Sequence, residues 1–121
     1  MARPSTKSNP VLHRTVSGLR QVSRDSGAAV WRALALRLEA RRRSWAEVNL
    51  SRIARYARPD EILAIPGILL AAGRLDFPVQ VAAFRASAAA RHKVEAAGGK
   101  VLDLLTLAGQ VPKGTGVRIL G

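Results

Sequence analysis

The sequence predicts an α/β protein in which a basic arm and helices lead into an alternating strand–helix half. Three observations predict it. Apolar residues recur at three- and four-residue spacing as far as residue 57, as they do on helices with one buried face. From residue 59 onward, short apolar runs are punctuated by Pro and Gly, as buried strands are. At 121 residues and 48% hydrophobic content the chain can build one modest core. The expected division is a flexible arm over 1–9, a basic helical half over 10–58 and a strand–helix core over 59–121, with 10–121 forming one compact domain.

Asn9-Pro10 marks a helix start, because Pro suits the first helical position. Leu12, Val16, Leu19 and Val22 then make one apolar stripe to Ser26, and Ser26-Gly27 breaks it. A second helix follows over Ala28–Glu39, with Val30, Leu34 and Leu38 in register and Trp31 beside them. The third begins after the loop Arg41-Arg42-Arg43, where Ser44-x-x-Glu47 matches a capping box and Asn49 is itself a good N-cap. With Leu50 as origin, Ile53, Ala54 and Ala57 share its face. Ser51, Arg52, Arg55 and Arg58 fall on the other. Arg58-Pro59-Asp60 closes the helical half.

Glu61–Ile65 reads as a strand stopped by Pro66-Gly67, and Ile68–Ala72 as another. A turn over Leu75–Pro78 precedes a strand over Val79–Phe84. Ser87 caps a helix through Ala97, which Gly98-Gly99 terminates. Val101–Leu105 is a further strand running into a helical turn near Leu104–Gly109. After the loop Pro112–Gly116 a last strand covers Val117–Ile119. No internal repeat is present.

The formal net charge is +12, and it is uneven. Residues 1–60 carry 13 Lys and Arg against 4 Asp and Glu, whereas residues 61–121 carry 7 against 4. A folded chain with so cationic a surface has polyanions as natural partners. The absence of cysteine excludes disulfides, thiolate metal sites and cysteine catalysis, and fits an intracellular protein. No apolar run is long enough to span a bilayer. The polar, basic start over Met1–Pro10 is not a secretory signal.

The chemistry concentrates at 41–58. Guanidinium forks match phosphate oxygens bidentately and stay charged at any relevant pH. Arg41, Arg42, Arg43, Arg52, Arg55 and Arg58, with Asn49 and Ser51, are therefore candidate nucleic-acid contacts, and Arg3 and Lys7 on the arm, Arg14, Arg32, Lys113 and Arg118 extend the set. Trp45 is open between a core position and a nucleotide contact. Trp31 and Phe84 are expected in the core, and no strand clusters aromatics for base stacking. Gly114-x-Gly116 lacks the Lys-Ser/Thr ending and the following helix of a nucleotide loop, so it reads as a turn. His13 and His92 have no carboxylate at ligand spacing and read as surface or phosphate-facing histidines. No acid–base constellation assembles. No catalysis, cofactor, membrane or small-molecule substrate is expected.

The run Ala46-Glu47-Val48-Asn49-Leu50-Ser51-Arg52-Ile53, followed by Arg55-Tyr56, resembles the archaeal and eukaryotic large-subunit ribosomal protein eighteen-e family. Asn9-Pro10, Trp31-Arg32, Arg41-Arg42, Pro66-Gly67, Val81–Phe84, Ser87-x-x-Ala90-x-x-Lys93, Ala97-Gly98-Gly99 and Gly116–Ile119 are similar to the same family, in order, from about residue 7 to the end. The resemblance implies the fold shared with bacterial ribosomal protein fifteen, an irregular strand–strand–helix domain preceded by helices. It also implies a non-enzymatic, cytoplasmic protein within the ribosome, bound to large-subunit ribosomal RNA and to neighbouring ribosomal proteins. The length suggests an archaeal form. Trp45 departs from the smaller or polar residue usual there. Ile68 and Phe77-Pro78 stand where basic residues are common, which shifts the expected contacts from 68–78 to 41–58. Two rival classes share the cationic surface: a DNA-packaging or architectural protein, and an enzyme acting on RNA. The first lacks a recognition-helix dyad, an apolar wedge and a heptad seam, and the second lacks acid–base residues.

Overall fold

The computed structural model describes residues 9–121, so the expected arm contacts Arg3 and Lys7 lie outside the described residues. Helix α1 spans Pro10–Ser26 and α2 spans Ala29–Glu39. A 3-10 turn over Arg42–Ser44 leads to strand β1 (Ala46–Asn49) and helix α3 (Leu50–Tyr56). Then come β2 (Ile62–Leu70), β3 (Gln80–Ala86), α4 (Ala88–Ala96), β4 (Lys100–Asp103), α5 (Leu104–Gln110) and β5 (Val117–Ile119). All strand pairs are parallel, in the order β1-β2-β3-β4, and β5 pairs β2. The α/β expectation holds, and the strand–helix half supplies four of the five strands of the described residues.

Helix α1 starts where Asn9 and Pro10 predict. The Asn9 carboxamide oxygen accepts from the Val11 and Leu12 amides at 3.0 and 3.3 Å, which satisfies donors that have no partner inside a helix. Gly27, at φ 77°, ends it in the left-handed conformation and folds α2 back against α1. Downstream, the Ser87 hydroxyl accepts from the Ala90 amide at 3.1 Å and starts α4 as expected, while Asp103 caps α5 through Thr106.

Two expectations fail around β1. Ser44 and Glu47 form no capping box, because Ala46–Asn49 is extended and pairs with Gly67–Leu70 of β2. Helix α3 consequently begins only at Leu50. Asn49 occupies the N-cap position, yet its side chain caps nothing in α3 and accepts from the Ala72 amide at 3.1 Å. The expected division of faces is right, for Leu50 and Ile53 are fully buried and Arg52 and Arg55 exposed.

Pro66-Gly67 does not stop the second-half strand either. Strand β2 runs through it, with a register shift against β3 between Ile65 and Ile68, so two residues oppose one as in a β-bulge. Proline is tolerated because the neighbour on the far edge of β2 changes there. Strand β5 pairs Ile62–Ala64 and β1 pairs Gly67–Leu70, and Pro66 falls in the gap between the two ladders. The two short strands therefore lie end to end along one edge of β2. A Cβ on Gly67 would overlap the Ala46 carbonyl oxygen, so the close approach of β1 requires glycine.

The sheet separates two apolar clusters. Leu63, Ile65 and Leu69 face α3 and α4 together with Val48, Ile53, Val81, Ala90 and Val94. On the other side Ala64 and Ala82, register partners on adjacent strands, lie in one cluster with Trp31, Trp45, Leu34, Leu38 and Leu104. Two small residues side by side leave room for two indoles, and close packing rewards that pairing. Helices α1, α2 and α5 cover this face.

Candidate nucleic-acid interface

Strand β1 carries a basic segment at each end. Its four residues span about 13 Å. Before it lies the 3-10 turn with Arg41, Arg42 and Arg43, all exposed, and after it α3 with Arg52 and Arg55 exposed on the outer face. Arg58 follows, exposed, beyond the end of α3. Glu47, midway along β1 and exposed, is the one carboxylate between these segments.

The start of α3 is tied down by a knot around residues 71–73. The Ser51 amide donates to the Ala72 carbonyl at 3.0 Å, beside the Asn49–Ala72 bond. The Lys93 ammonium, reaching over from α4, donates to the carbonyls of Ala71 and Gly73 at 3.0 and 3.1 Å. Gly73 sits at φ 104°, where a side chain would strain the backbone and run into Ser51. The arginines of α3 are thus long flexible groups on a fixed root, an arrangement suited to an irregular polyanion surface.

Bonding divides the cations into two sets. Arg20 pairs with Glu39, and Arg74 with Asp76 at 2.8 Å. Arg37 donates to the Gly121 carbonyl, Arg91 to that of Val101 and Arg24 to Gln21. Among the described residues, Arg14, Arg32, Arg41, Arg42, Arg43, Arg52, Arg55, Arg85, Lys100 and Lys113 have no ion pair and no side-chain hydrogen bond, and neither does the Arg58 guanidinium. Every one of these is exposed. Of the candidate cations that are described, only Arg118 belongs to the bonded set. Its guanidinium bridges Glu61 and the Tyr56 carbonyl.

The candidates are spread over several elements. Residues 41–43 and 52–58 flank β1, Arg14 lies on α1 and Arg32 on α2, and Lys113 sits in the turn before β5. Ser51 is exposed beside Arg52. Trp45 takes the core alternative. It is 7% exposed, its Nε1 donates to the Leu38 carbonyl at 3.0 Å, and its ring meets Phe84 edge-on at 5.2 Å. That bond satisfies a carbonyl left open in the last turn of α2. The Arg42 guanidinium lies 5.2 Å from the indole centroid and covers it from the solvent side. Asn49, half-buried and bonded to Ala72, is likewise drawn away from the surface.

Next to the arginine turn, a groove of about 450 Å³ lies between the start of α1 and the end of α2, with Leu12, His13, Leu38, Arg42 and Trp45 among its lining. His13 and His92 are both exposed. Gly114 and Gly116, at φ 70° and 77°, form a turn closed by the Val117 amide on the Gly114 carbonyl. Trp31 is fully buried, its Nε1 on the Pro112 carbonyl at 2.7 Å. Two residues escaped the sequence reading. Lys93 ties the 71–73 segment at the start of α3, which no local pattern announces. Tyr56 stands one helical turn after Arg52, a spacing visible in the sequence.

No helix among the described residues is long and apolar enough to cross a membrane, and no group of three or more His, Cys, Asp or Glu comes together there.

Comparison with known proteins gives a consistent result. The family model described as "Ribosomal protein 60S L18 and 50S L18e" matches residues 1–121. The large ribosomal subunit protein eL18 of Methanoregula boonei is 42% identical over 120 residues, 99% of each chain. That of Halobacterium salinarum is 45% identical over 115 residues, 95% of this chain and 98% of the relative. That of Methanothermobacter thermautotrophicus is 41% identical over 120 residues, 99% of each.

Proposed function

The chain belongs to the family of ribosomal proteins 60S L18 and 50S L18e, as the run Ala46–Ile53 implies, and on that premise we propose that it is a structural constituent of the large ribosomal subunit. It holds ribosomal RNA through its arginine-rich surface, touches neighbouring ribosomal proteins, performs no catalysis and resides in cytoplasmic ribosomes.

One observation carries the RNA reading: the arginines at both ends of β1 are exposed and unpaired among the described residues, on a rooted scaffold. Twenty Lys and Arg face 8 Asp and Glu in the chain, so most cations cannot find a carboxylate within it. Like charges crowded on a small domain repel one another, and a polyanion relieves that repulsion. Each guanidinium docked on a phosphate releases condensed counterions into solution. RNA helices offer phosphate and shape rather than readable base edges in their deep major groove, which suits cations spread over several elements. The same distribution gives no groove-reading helix for duplex DNA, because Arg52 and Arg55 sit on a helix of only 7 residues whose inner face is committed to the core.

The test is the salt dependence of binding to deproteinised large-subunit RNA. Five phosphate contacts predict a slope of about −4 in log affinity against log salt. A slope near zero defeats the electrostatic mechanism, and equal affinity for duplex DNA returns the architectural alternative.

A further inference from the structure

Tyr56 is half solvent-exposed at 51%, whereas the two tryptophans are buried and both phenylalanines at least half-buried. It ends α3, on the surface that carries Arg52 and Arg55. Both guanidinium carbons lie 6.0 Å from the centre of its ring, at the outer limit of cation–π attraction. The phenol makes no hydrogen bond among the described residues. Its own backbone is fixed, since the Tyr56 carbonyl accepts from Arg118 at 2.9 Å and the following Ala57 amide donates to Ile53. A large planar side chain is therefore held at its root, lightly covered, and flanked by two free cations.

We propose that Tyr56 is a stacking platform for one unpaired base of an RNA, with Arg52 and Arg55 taking the phosphates on either side of that base. The inference rests on the RNA reading above and goes further, because it assigns this part of the surface to a non-helical segment. Bases inside a duplex are stacked on each other and offer no face. Bases in loops, bulges and ends do, and aromatic side chains take them up. The geometry suits a nucleotide. Arg52 and Arg55 are separated by about 4.5 Å along the helix axis, and the ring follows directly behind them. A base stacked on the phenol displaces only the marginal contact with the arginines, leaving both guanidinium groups free to turn onto phosphate. Charge complementarity excludes a basic or neutral peptide as the occupant. An acidic peptide satisfies the arginines and has no flat face for the ring.

The experiment compares two RNAs and three substitutions in the full-length protein. One RNA is deproteinised large-subunit RNA, rich in unpaired segments, and the other is a perfectly paired duplex. Tyr56→Ala and Tyr56→Leu are expected to weaken binding to the first by about five- to a hundred-fold, the range of a single base–aromatic stack, and to leave duplex binding unchanged. Tyr56→Phe keeps the flat face and is expected to bind like the parent. The salt slope stays that of the parent in all three, because no cation is removed, and melting temperatures are recorded to show that each variant is folded. Weakening on both RNAs overturns the stacking role, since Tyr56 would then act only by arranging the arginines. Unchanged affinity for both overturns it as well, while an intact parental salt slope leaves the phosphate reading standing. A parental slope near zero on both RNAs removes the reading and the platform together.

Discussion

The guanidinium of Arg118 reaches both carboxylate oxygens of Glu61, at 3.1 and 3.4 Å, and binds β5 to the loop between α3 and β2. The same group donates to the Tyr56 carbonyl at 2.9 Å, and Glu61 accepts in turn from the Arg58 amide at 2.9 Å. A cation that sequence reasoning assigns to RNA thus closes the end of the basic helix.

Replacing Arg118 with Met is expected to lower stability by about 1 kcal/mol, or a melting temperature lower by roughly 4 °C. The pair is partly exposed, Arg118 at 43% and Glu61 at 19% of side-chain surface, so solvent screening keeps the figure modest. The salt slope of RNA binding stays as in the parent. Thermal melting alongside RNA titration checks both, and an unchanged melting temperature with a shallower slope would put Arg118 on phosphate instead.

Gly67→Ala probes how β1 is held. The added methyl meets the Ala46 carbonyl oxygen and comes within 2.8 Å of its nitrogen, both rigid backbone atoms. The strand must shift or detach, at a cost of about 1–3 kcal/mol. Since β1 connects the arginine turn to α3, its displacement should weaken RNA binding along with stability. Urea unfolding and amide exchange along Ala46–Asn49 would show it, and a variant with parental exchange rates would refute the tight approach.

Much of this architecture is legible in the sequence because it is local. The stripe of α1, the buried Leu50 and Ile53 with outward Arg52 and Arg55, the Ser87 cap and the last strand all follow from spacing and side-chain chemistry. What escapes depends on distant partners. Ala46–Asn49 is a strand because Gly67–Leu70 lies beside it, and the local Ser44-x-x-Glu47 signal points to a helix. Pro66 signals an end, and only the arrangement of β1 and β5 along β2 shows that its missing N–H falls in a gap between ladders. Trp45 stands among arginines in sequence, while its place is decided by Leu38 and by Phe84, 39 residues on. The division of cations into bonded and free is hidden for the same reason: Glu61 is 57 residues from Arg118.

The last prediction sets the two roles of arginine against each other in one molecule. Changing Arg41, Arg42, Arg43, Arg52 and Arg55 together to Gln removes five positive charges, none of them hydrogen-bonded or ion-paired among the described residues. Glu39, the nearest carboxylate in sequence to the turn, is already paired with Arg20, and Glu47 pairs with none of the five. The substitution opens no cavity and relieves repulsion among neighbouring cations. Stability should therefore stay nearly constant or rise slightly, less the roughly 0.5–1 kcal/mol that the Arg42 guanidinium contributes over the Trp45 ring. RNA affinity should fall steeply, and its salt slope should become shallower by about 4, a little under one unit for each phosphate that is no longer neutralised. Melting temperature and salt titration on the same preparation separate the outcomes. A lower melting temperature with an unchanged slope would mean that these arginines hold the protein rather than the RNA. Intact affinity in a folded variant would move the binding surface to the remaining free cations of the described residues, Arg14, Arg32, Arg58, Arg85, Lys100 and Lys113.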